Sequence, residues 1–280
     1  MSRIDIKKTY KLFIGGQFPR SESGRSYEIK GANGKFIANP ALASRKDLRD
    51  SVTAAKSALS GWSSATAFNR GQILYRIAEI MEGRRDQFVN EIIALEGGSA
   101  KAAEAQVEQA IDLWVWYAGW CDKISTIAGA TNPIAGPYYN FTTPEELGVV
   151  GIIADQKDSL LGLVAAIAPV IATGNTAVVI ASEKRPLPAI TLSEALATSD
   201  LPAGVLNILT GKVSELAPWL ASHMEIDGLD ISGADSKIES ELRIAGAENL
   251  KRIHRFNKSQ SPQRMLAFME AKTVWHPIGV

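Results

Sequence analysis

Residues 147–167, LGVVGIIADQKDSLLGLVAAI, contain the transition that decides the fold. A short apolar run, Val149–Ile153, stops at the polar residues Asp155–Asp158, and a second apolar run begins at Leu160. A strand of this length followed directly by a helix is the repeating unit of an open α/β sheet. In such sheets, ligands bind where the carboxyl end of a strand meets the next helix. The polar residues therefore mark a candidate functional loop.

Segments of strand length and helix length continue to alternate after this loop. The predicted strands are Leu147–Ile153, Ala177–Ile180, Val205–Thr210, Leu229–Ile231 and Lys251–Phe256. The predicted helices between them are Leu160–Ala172, Leu187–Ser199, Val213–Ser222 and Ser236–Ala245. This alternation is typical of a mostly parallel sheet with right-handed crossovers. We therefore expect an α/β fold with a Rossmann-like, doubly wound parallel sheet.

The part of the chain before this sheet is mostly helical by its apolar spacing. Ahead of the helices, Lys11–Phe18 (KLFIGGQF) predicts a short hairpin that turns at Gly15 and Gly16, because glycine supplies the positive φ of a tight turn. Ser44 then predicts a helix start, with Asp47 three residues later as its capping-box partner.

Three further features lie outside the predicted sheet. The single cysteine, Cys121, falls on the apolar face of the helix predicted over Lys101–Ile124, so we interpret it as a buried thiol and not a nucleophile. Tyr138–Thr142 alternates weakly, as an edge strand does. Residues 257–264 (NKSQSPQR) are polar and predict a linker to a short tail, Met265–Val280.

The charge balance, the cysteine content and the apolar segments of the chain exclude several classes of function. Thirty basic and thirty acidic side chains cancel, so no overall field attracts nucleic acid or an anionic membrane. One cysteine excludes an internal disulfide and fits a reducing compartment. The first residues lack the apolar core of a signal peptide, and the most apolar window, Leu160–Thr173, contains Pro169 and is too short to span a bilayer. The sequence therefore predicts a cytoplasmic protein.

Other chemical motifs are missing from the sequence. His223, His254 and His276 are too widely separated to predict a metal site. No G-x-S-x-G elbow, Walker loop or G-x-G-x-x-G fingerprint is present to indicate hydrolase or nucleotide chemistry.

Several segments, in their order along the chain, carry a family resemblance. They are KLFIGGQF, WSSATAFNRGQILYRIAEIME, LEGGSAKAAEAQVEQAIDLWVWYAG, LGVVGII, APVIATGNTAVVIASEKRPLPA and LPAGVLNILTG. Together they resemble the NAD(P)-dependent aldehyde dehydrogenase superfamily over roughly Tyr10–Phe256. With KKTYKLFIGG near its start and AKTVW near its end, the chain looks most like the degenerate second module of the two-module, family-16-type enzymes.

The resemblance implies an aldehyde dehydrogenase-like fold with a coenzyme domain, a catalytic domain and a β oligomerisation arm. We expect residues 1–45 to form an N-terminal hairpin and arm. Residues 46–256 would form the helical region and coenzyme-type domain, with 138–146 inserted as an arm strand, and 257–280 a linker and C-terminal arm strand. The family's catalytic domain is expected to be absent, because the polar linker follows where that domain would begin.

The resemblance also implies a chemistry that this chain does not match. In active members a cysteine attacks the aldehyde, an asparagine holds the oxyanion, NAD(P) accepts hydride and a glutamate activates water. Lys157 stands in the place of the asparagine and Phe256 in that of the glutamate, while Cys121 lies too far upstream to be the nucleophile. We therefore predict no catalytic residue, and we expect Asp158 or Ser159 to cap the helix that follows.

The coenzyme positions are altered too. The family's K-P-S-E segment appears as residues 180–183 (IASE), with Ile180 in place of the lysine that meets the adenine ribose. The residues left as vestigial NAD(P) contacts are Ser182, Glu183, Gly211, Ser232 and Gly233. Val213 and Ala217 stand where the family often has glycines, at the start of the helix that faces the pyrophosphate. The sequence thus predicts no tight binding of NAD or NADP.

Two functional hypotheses follow from the resemblance. The first is a catalytically inactive aldehyde dehydrogenase-like subunit that acts in oligomer assembly or regulation, as a homodimer or with a full-length, active aldehyde dehydrogenase. The alternative is a residual NAD(P)-binding subunit that contributes to aldehyde oxidation by a partner. A self-sufficient enzyme is the third reading, and neither nucleic acid nor a membrane is an expected partner.

Overall fold

The computed structural model describes residues 6–257 and 259–279, and its N-terminal half is largely helical. The elements of this half are β1 (Ile29–Lys30), β2 (Phe36–Ala38), α1 (Arg45–Ser63), α2 (Ala67–Gly83), α3 (Arg85–Glu96), α4 (Ala100–Trp120) and α5 (Ile124–Ala128). Among the described residues, no helix combines the length and apolarity needed to cross a bilayer.

The second half alternates strands and helices. Its elements are β3 (Ala130–Thr131), β4 (Tyr138–Glu146), β5 (Val149–Ile153), α6 (Leu161–Ala172), β6 (Thr176–Ile180), α7 (Leu187–Leu196), β7 (Leu206–Leu209), α8 (Val213–Ser222), β8 (Gly228–Asp230), α9 (Ser236–Ala247), β9 (Arg252–His254), α10 (Pro262–Leu266) and β10 (Met269–Pro277). The five strands predicted from the sequence are β5 to β9.

The central sheet has the order β7-β6-β5-β8-β9, and all of its strands are parallel. Every residue of β5, β6 and β7 is buried, as expected for strands covered by helices on both faces. Apolar residues of these strands divide between two clusters, one packed with α6 and α7 and the other with α1 and α8. The Rossmann-like, doubly wound parallel fold is therefore confirmed.

Helix α1 begins where the sequence predicts. The Ser44 hydroxyl accepts hydrogen bonds from the amides of Lys46 and Asp47, and the Asp47 carboxylate accepts the Ser44 amide at 2.8 Å. This reciprocal capping box satisfies amides that the first helical turn leaves without a partner. Leu48 and Val52 then face the core.

The N-terminal hairpin turns at Gly15 and Gly16, which have φ of 57° and 75°. It does not lie with the arm strands, contrary to our expectation for residues 1–45. Phe13 instead pairs antiparallel with Ile208 of β7, and the Gly15 amide donates to the Asn207 side chain at 2.9 Å. The hairpin thus covers the edge of the central sheet, because the buried side chains beside the turn need a core to pack on.

A separate three-stranded sheet, here named the arm, has the order β10-β4-β3. Strands β4 and β10 pair antiparallel along their whole length, from Met269 opposite Glu146 to Pro277 opposite Tyr138. The predicted inserted strand and the C-terminal strand therefore lie side by side. The division of the chain into domains at residues 45 and 256 stays a prediction.

The expectation of a polar linker over residues 257–264 is wrong for its second half. Pro262 begins α10, and Arg264 and Met265 are buried. Arg264 pairs with the buried carboxylate of Asp230 at 3.4 Å, and its Nη1 donates to the Asn257 carbonyl at 2.8 Å. The polar composition of the segment predicted exposure, and the sequence does not show which distant carboxylate pairs with Arg264.

Candidate functional site

A cavity of about 450 Å³ opens at the carboxyl edge of the central sheet, between the N-terminal ends of α8 and α9. Its walls come from the loops that follow β5, β6 and β8. The lining residues are Gln156, Glu183, Lys184, Val213, Ser214, Gly233, Asp235, Lys237 and Ile238. This edge is where an open α/β sheet binds ligands, and it includes the loop singled out from the sequence.

The structure brings only part of the vestigial coenzyme set to this cavity. Glu183 and Gly233 line it. Ser182 is buried and its hydroxyl points at the Gln156 carbonyl, at 3.5 Å. Ser232 faces β9, where its hydroxyl accepts the Phe256 amide at 2.9 Å. Gly211 lies against Leu216 and Ala43, outside the cavity lining.

Glu183 forms a contact that bears on phosphate binding. Its Oε2 accepts a hydrogen bond from the Val213 amide at 3.1 Å, at the first residue of α8. Amides at a helix N-terminus and the helix dipole attract anions, and a bound phosphate would use the same donors. A carboxylate of the chain already takes this place. The residues present therefore do not fit a pyrophosphate at the N-terminus of α8.

Gln156 lies within the loop singled out from the sequence, but the sequence assigned it no individual role. Its Nε2 donates to the Ala154 carbonyl at 2.6 Å, and its Oε1 accepts the Glu183 amide at 2.9 Å. These two bonds link the loop after β5 to the loop after β6. Only its position directly after a buried strand could have indicated such a role.

The polar loop itself is held by contacts within the chain. Asp155 Oδ1 accepts the amides of Lys157 and Asp158 at 2.6 and 3.1 Å, while the Lys157 side chain is exposed. Arg185 donates to the Lys157 carbonyl. The loop forms a turn, and no contact in the described part of the chain fixes the lysine as an oxyanion donor.

The predicted cap of α6 by Asp158 or Ser159 is wrong. Leu160 occupies the N-cap position, and it makes no capping bond through its side chain. Gln106 Oε1 of α4 instead accepts the amides of Leu160 and Leu161 at 3.2 and 3.4 Å. These amides are satisfied from a neighbouring helix because the end of α6 is buried among other elements.

Glu96 fixes the same end of the loop. Its Oε1 accepts both the amide and the hydroxyl of Ser159, at 2.7 and 2.6 Å, and its Oε2 accepts Nε2 of Gln106 at 3.1 Å. Glu96 and Gln106 lie on either side of the Gly97-Gly98 break in a segment that we read only for its helical pattern. Neither residue was predicted to contact the loop.

Phe256, which the resemblance aligns with the family's glutamate, lies in an aromatic cluster. Its ring stacks on His254 with 5.5 Å between centroids, meets Phe268 at 6.1 Å and packs under the Arg264 guanidinium at 4.9 Å. Partial burial lowers the pKa of His254, which favours its neutral form. The place is filled by packing and offers no carboxylate for proton transfer.

Cys121 is buried, as predicted. Only 2% of its surface is exposed, and its Sγ lies 3.4 Å from the Tyr117 carbonyl. Burial raises the pKa of the thiol to about 12, so the reactive thiolate is scarce at neutral pH. The described residues contain no group of histidine, cysteine and acidic side chains that could hold a metal ion.

Gly233 is required by the fold whether or not a coenzyme binds. A Cβ at this position would lie 1.8 Å from the Ala154 carbonyl oxygen and 2.7 Å from that of Ile153. Gly233→Ala is therefore expected to lower the free energy of unfolding by about 1–3 kcal/mol, measured by urea denaturation. The control is Gly61→Ala in α1, which meets nothing within 4 Å and is expected to stabilise the helix slightly. Equal stability of both variants would contradict the steric argument.

Comparison with known proteins agrees with this geometry. The model of the aldehyde dehydrogenase family matches residues 18–263. The chain is 32% identical over 262 residues to cytosolic 10-formyltetrahydrofolate dehydrogenase of Mus musculus, covering 90% of this chain and 29% of that protein. It is 33% identical over 271 residues to retinal dehydrogenase 2 of Homo sapiens, covering 94% of this chain and 51% of that protein.

Solved structures give the same result. HpcC from Thermus thermophilus superimposes with a TM-score of 0.84 and 28% identity, over 89% of this chain and 48% of that one. The NAD⁺ complex of aldehyde dehydrogenase from Bacillus cereus superimposes with a TM-score of 0.82 and 25% identity, over 88% of this chain and 50% of that one. The chain thus spans about half the length, or less, of these relatives. In sequence and in fold, the chain belongs to the aldehyde dehydrogenase family.

Proposed function

We propose that this chain is a catalytically inactive aldehyde dehydrogenase-like subunit that acts in oligomer assembly or regulation. Its partner would be a second copy of itself or a full-length, active aldehyde dehydrogenase. The observation that carries the proposal is the arm, which presents a long strand edge and exposed aromatic side chains.

The outer edge of β10 supports association with another chain. In the described part of the chain, this strand pairs with β4 on one side only. Its length is nine residues, Met269–Pro277. A strand edge of this length presents unpaired amides and carbonyls that a strand from another chain can complete.

Aromatic side chains on the arm add apolar area to that edge. Trp275 and Tyr138 form an edge-to-face pair with centroids 5.9 Å apart, and Tyr139 packs beside Phe141 at 5.5 Å. Trp275 is 58% exposed and Tyr139 is 48% exposed. Large aromatic residues are common among those that dominate protein interfaces, so this grouping favours a docking role.

The absence of suitable chemical groups supports the inactive part of the proposal. The Lys157 side chain lies in solvent at the position of the family's asparagine. Phe256 is packed under Arg264 at the position of the glutamate. Cys121 is buried in the helical region with a raised pKa. No set of described residues therefore supplies the nucleophile, oxyanion donor and base together.

A residual NAD(P)-binding subunit is the second candidate. The cavity between α8 and α9 favours it, because it lies at the ligand-binding edge of a sheet that superimposes on the NAD⁺ complex of the Bacillus cereus enzyme. Glu183 at the N-terminus of α8 argues against it. Titration calorimetry with NAD and NADP at millimolar concentration distinguishes the two candidate functions. A measurable heat of binding supports the NAD(P)-binding subunit, and the absence of such a heat contradicts it.

The assembly proposal is tested by Trp275→Glu, with mass measured by light scattering and sedimentation. A charge in the centre of an apolar contact is expected to weaken association by about 100-fold, which shifts the chain or its mixture with an active aldehyde dehydrogenase toward separate subunits. Tyr75→Glu is the matched control, since this tyrosine is 51% exposed on α2 and outside the arm. It should leave association unchanged.

Two results would overturn the proposal. A monomeric wild-type chain, both alone and mixed with an active aldehyde dehydrogenase from the same organism, removes the assembly role. Aldehyde-dependent NADH or NADPH formation by the pure chain removes the claim of inactivity.

A further inference from the structure

A groove runs between α1 and α8. Two adjoining cavities of about 560 and 420 Å³ form it, and they share Ser44, Arg45 and Trp219. Neither cavity includes the loop after β5 or the arm strands. The smaller cavity shares only Ser214 with the cavity at the carboxyl edge of the sheet, and the larger cavity shares no residue with it. The groove thus adjoins the coenzyme-site region at one residue and lies apart from the proposed assembly surface, so neither role accounts for its basic side chains.

Arg45 and Trp219 form its centre. The Arg45 guanidinium carbon lies 3.6 Å from the centroid of the indole ring, and the tryptophan is still 42% exposed. Stacking on the indole holds the guanidinium in one orientation while its N–H groups remain available. Among the described residues, Arg45 forms no ion pair, so its charge lacks a carboxylate partner.

Cations surround this pair. Lys46 and Arg49 line the larger cavity, and Arg25 lines the smaller one. The Arg25 side chain donates only to the Ser23 hydroxyl within the described chain, at 3.3 Å. With Arg45, four basic side chains border one groove, against the two acidic side chains Glu22 and Glu215. The groove is basic although the whole chain is neutral.

The ion pairs inside this group are weak. Lys46 lies 3.8 Å from Glu22, and Arg49 pairs with the adjacent Asp50 at 3.1 Å, with all four side chains substantially exposed. Exposed pairs of this kind contribute little to stability. An incoming carboxylate could therefore compete for these cations at little cost.

We propose that the groove between α1 and α8 is a docking site for an acidic segment of a partner protein, with Arg45 binding a carboxylate and Trp219 contacting an apolar side chain beside it. A guanidinium with free N–H groups binds carboxylates in a two-bond geometry. Arginine and tryptophan are also the residue types most often found to dominate interfaces.

A nucleic-acid strand fits the groove less well than an acidic peptide. Glu22 and Glu215 would oppose a continuous row of phosphates, whereas separate carboxylates can alternate with them. The balance of thirty basic and thirty acidic residues also supplies no long-range attraction for a polyanion.

The test uses a fluorescein-labelled peptide, GDELWEDG, and measures its anisotropy with the full chain at low salt. We expect saturable binding that weakens as salt is added, because the charges are exposed. Arg45→Gln and Trp219→Ala should each weaken binding by about tenfold or more. Arg76→Gln is the matched control: this exposed arginine of α2 pairs with Asp200 at 3.2 Å and should bind like wild type.

Four results would overturn the docking site. They are no saturable binding to the wild-type chain, equal binding of the charge-reversed peptide GKRLWKRG, unchanged affinity in both groove variants, and tighter binding of a single-stranded oligonucleotide of equal charge. Circular dichroism of each variant confirms that it is folded. Light scattering of the same samples distinguishes loss of peptide binding from loss of assembly through the arm. Neither groove variant should change the mass of the assembly.

Discussion

Arg264→Met is expected to lower the free energy of unfolding by about 3–5 kcal/mol. Asp230 is almost fully buried at the end of β8, and Arg264 is the charged side chain that approaches its Oδ2, at 3.4 Å. The other carboxylate oxygen accepts the Ser232 amide at 2.8 Å and the Ser232 hydroxyl. Removing the arginine leaves a buried carboxylate without its counter-charge.

The pH dependence of this loss follows from the pKa of Asp230. Burial raises the pKa of this carboxyl above its ordinary value of 3.8, while Arg264 and the Ser232 donors oppose the rise. A carboxyl with a raised folded-state pKa binds its proton more tightly in the folded chain than in the unfolded chain. Its contribution to stability is therefore most favourable at low pH and declines as the pH rises above 3.8. Without Arg264 the pKa of Asp230 should rise further. The loss of unfolding free energy caused by Arg264→Met should therefore become smaller as the pH falls from 7 to 5, because the unpaired carboxylate is protonated.

Guanidinium denaturation at both pH values measures this effect. Arg243→Met is the control, because this arginine pairs with Glu239 at 2.8 Å on the exposed face of α9 and should contribute little to stability. Adding Asp230→Leu to Arg264→Met should restore much of the lost stability, since no unpaired charge then remains. A loss that is independent of pH, or that persists in the double variant, would mean that packing of Arg264 matters and its charge does not.

The sheet could be predicted from the sequence because its determinants are local. The strand Val149–Ile153 and its neighbours are continuous apolar runs of strand length, and each is followed by a segment of helical length. Ser44 and Asp47 lie three residues apart and form the capping box of α1 with each other. Each of these features needs only adjacent residues.

The contacts that failed prediction join residues far apart in the chain. The hairpin pairs Phe13 with Ile208, and no local pattern selects that strand edge over the arm. The sequence around Arg264 predicts a linker, because its partner Asp230 lies 34 positions earlier in the chain. Polar composition indicates exposure on average, but it does not identify the buried exceptions.

The candidate site shows the same limit. The position of the loop could be predicted, because the carboxyl end of the first strand is visible in the sequence. Its contacts could not, because Glu96 and Gln106 reach it from 63 and 54 residues away. Glu183 was identified as a coenzyme contact from the resemblance, yet its bond to the Val213 amide depends on how two loops meet in space.

Trp62→Ala is expected to cost about 3–5 kcal/mol of unfolding free energy. This tryptophan, near the end of α1, is 1% exposed and is among the largest fully buried side chains described. Its Nε1 donates to the Ile171 carbonyl at 2.9 Å, in the last turn of α6, and this carbonyl also accepts the amides of Thr173 and Gly174. The alanine variant would lose the packing of a large side chain and one hydrogen bond between α1 and the end of α6, and the lost packing is the larger of the two costs.

Trp62→Phe separates these two costs. The phenyl ring keeps part of the packing and removes the indole donor, so a loss of about 1–3 kcal/mol is expected from the missing hydrogen bond together with a small cavity. Trp219→Ala is the matched tryptophan control, because its side chain is partly exposed and it should cost less than about 1 kcal/mol. Urea denaturation followed by far-ultraviolet circular dichroism compares the three variants without relying on tryptophan fluorescence. Equal stability of Trp62→Ala and Trp219→Ala would contradict the cost assigned here to the burial of Trp62 and to its bond to Ile171.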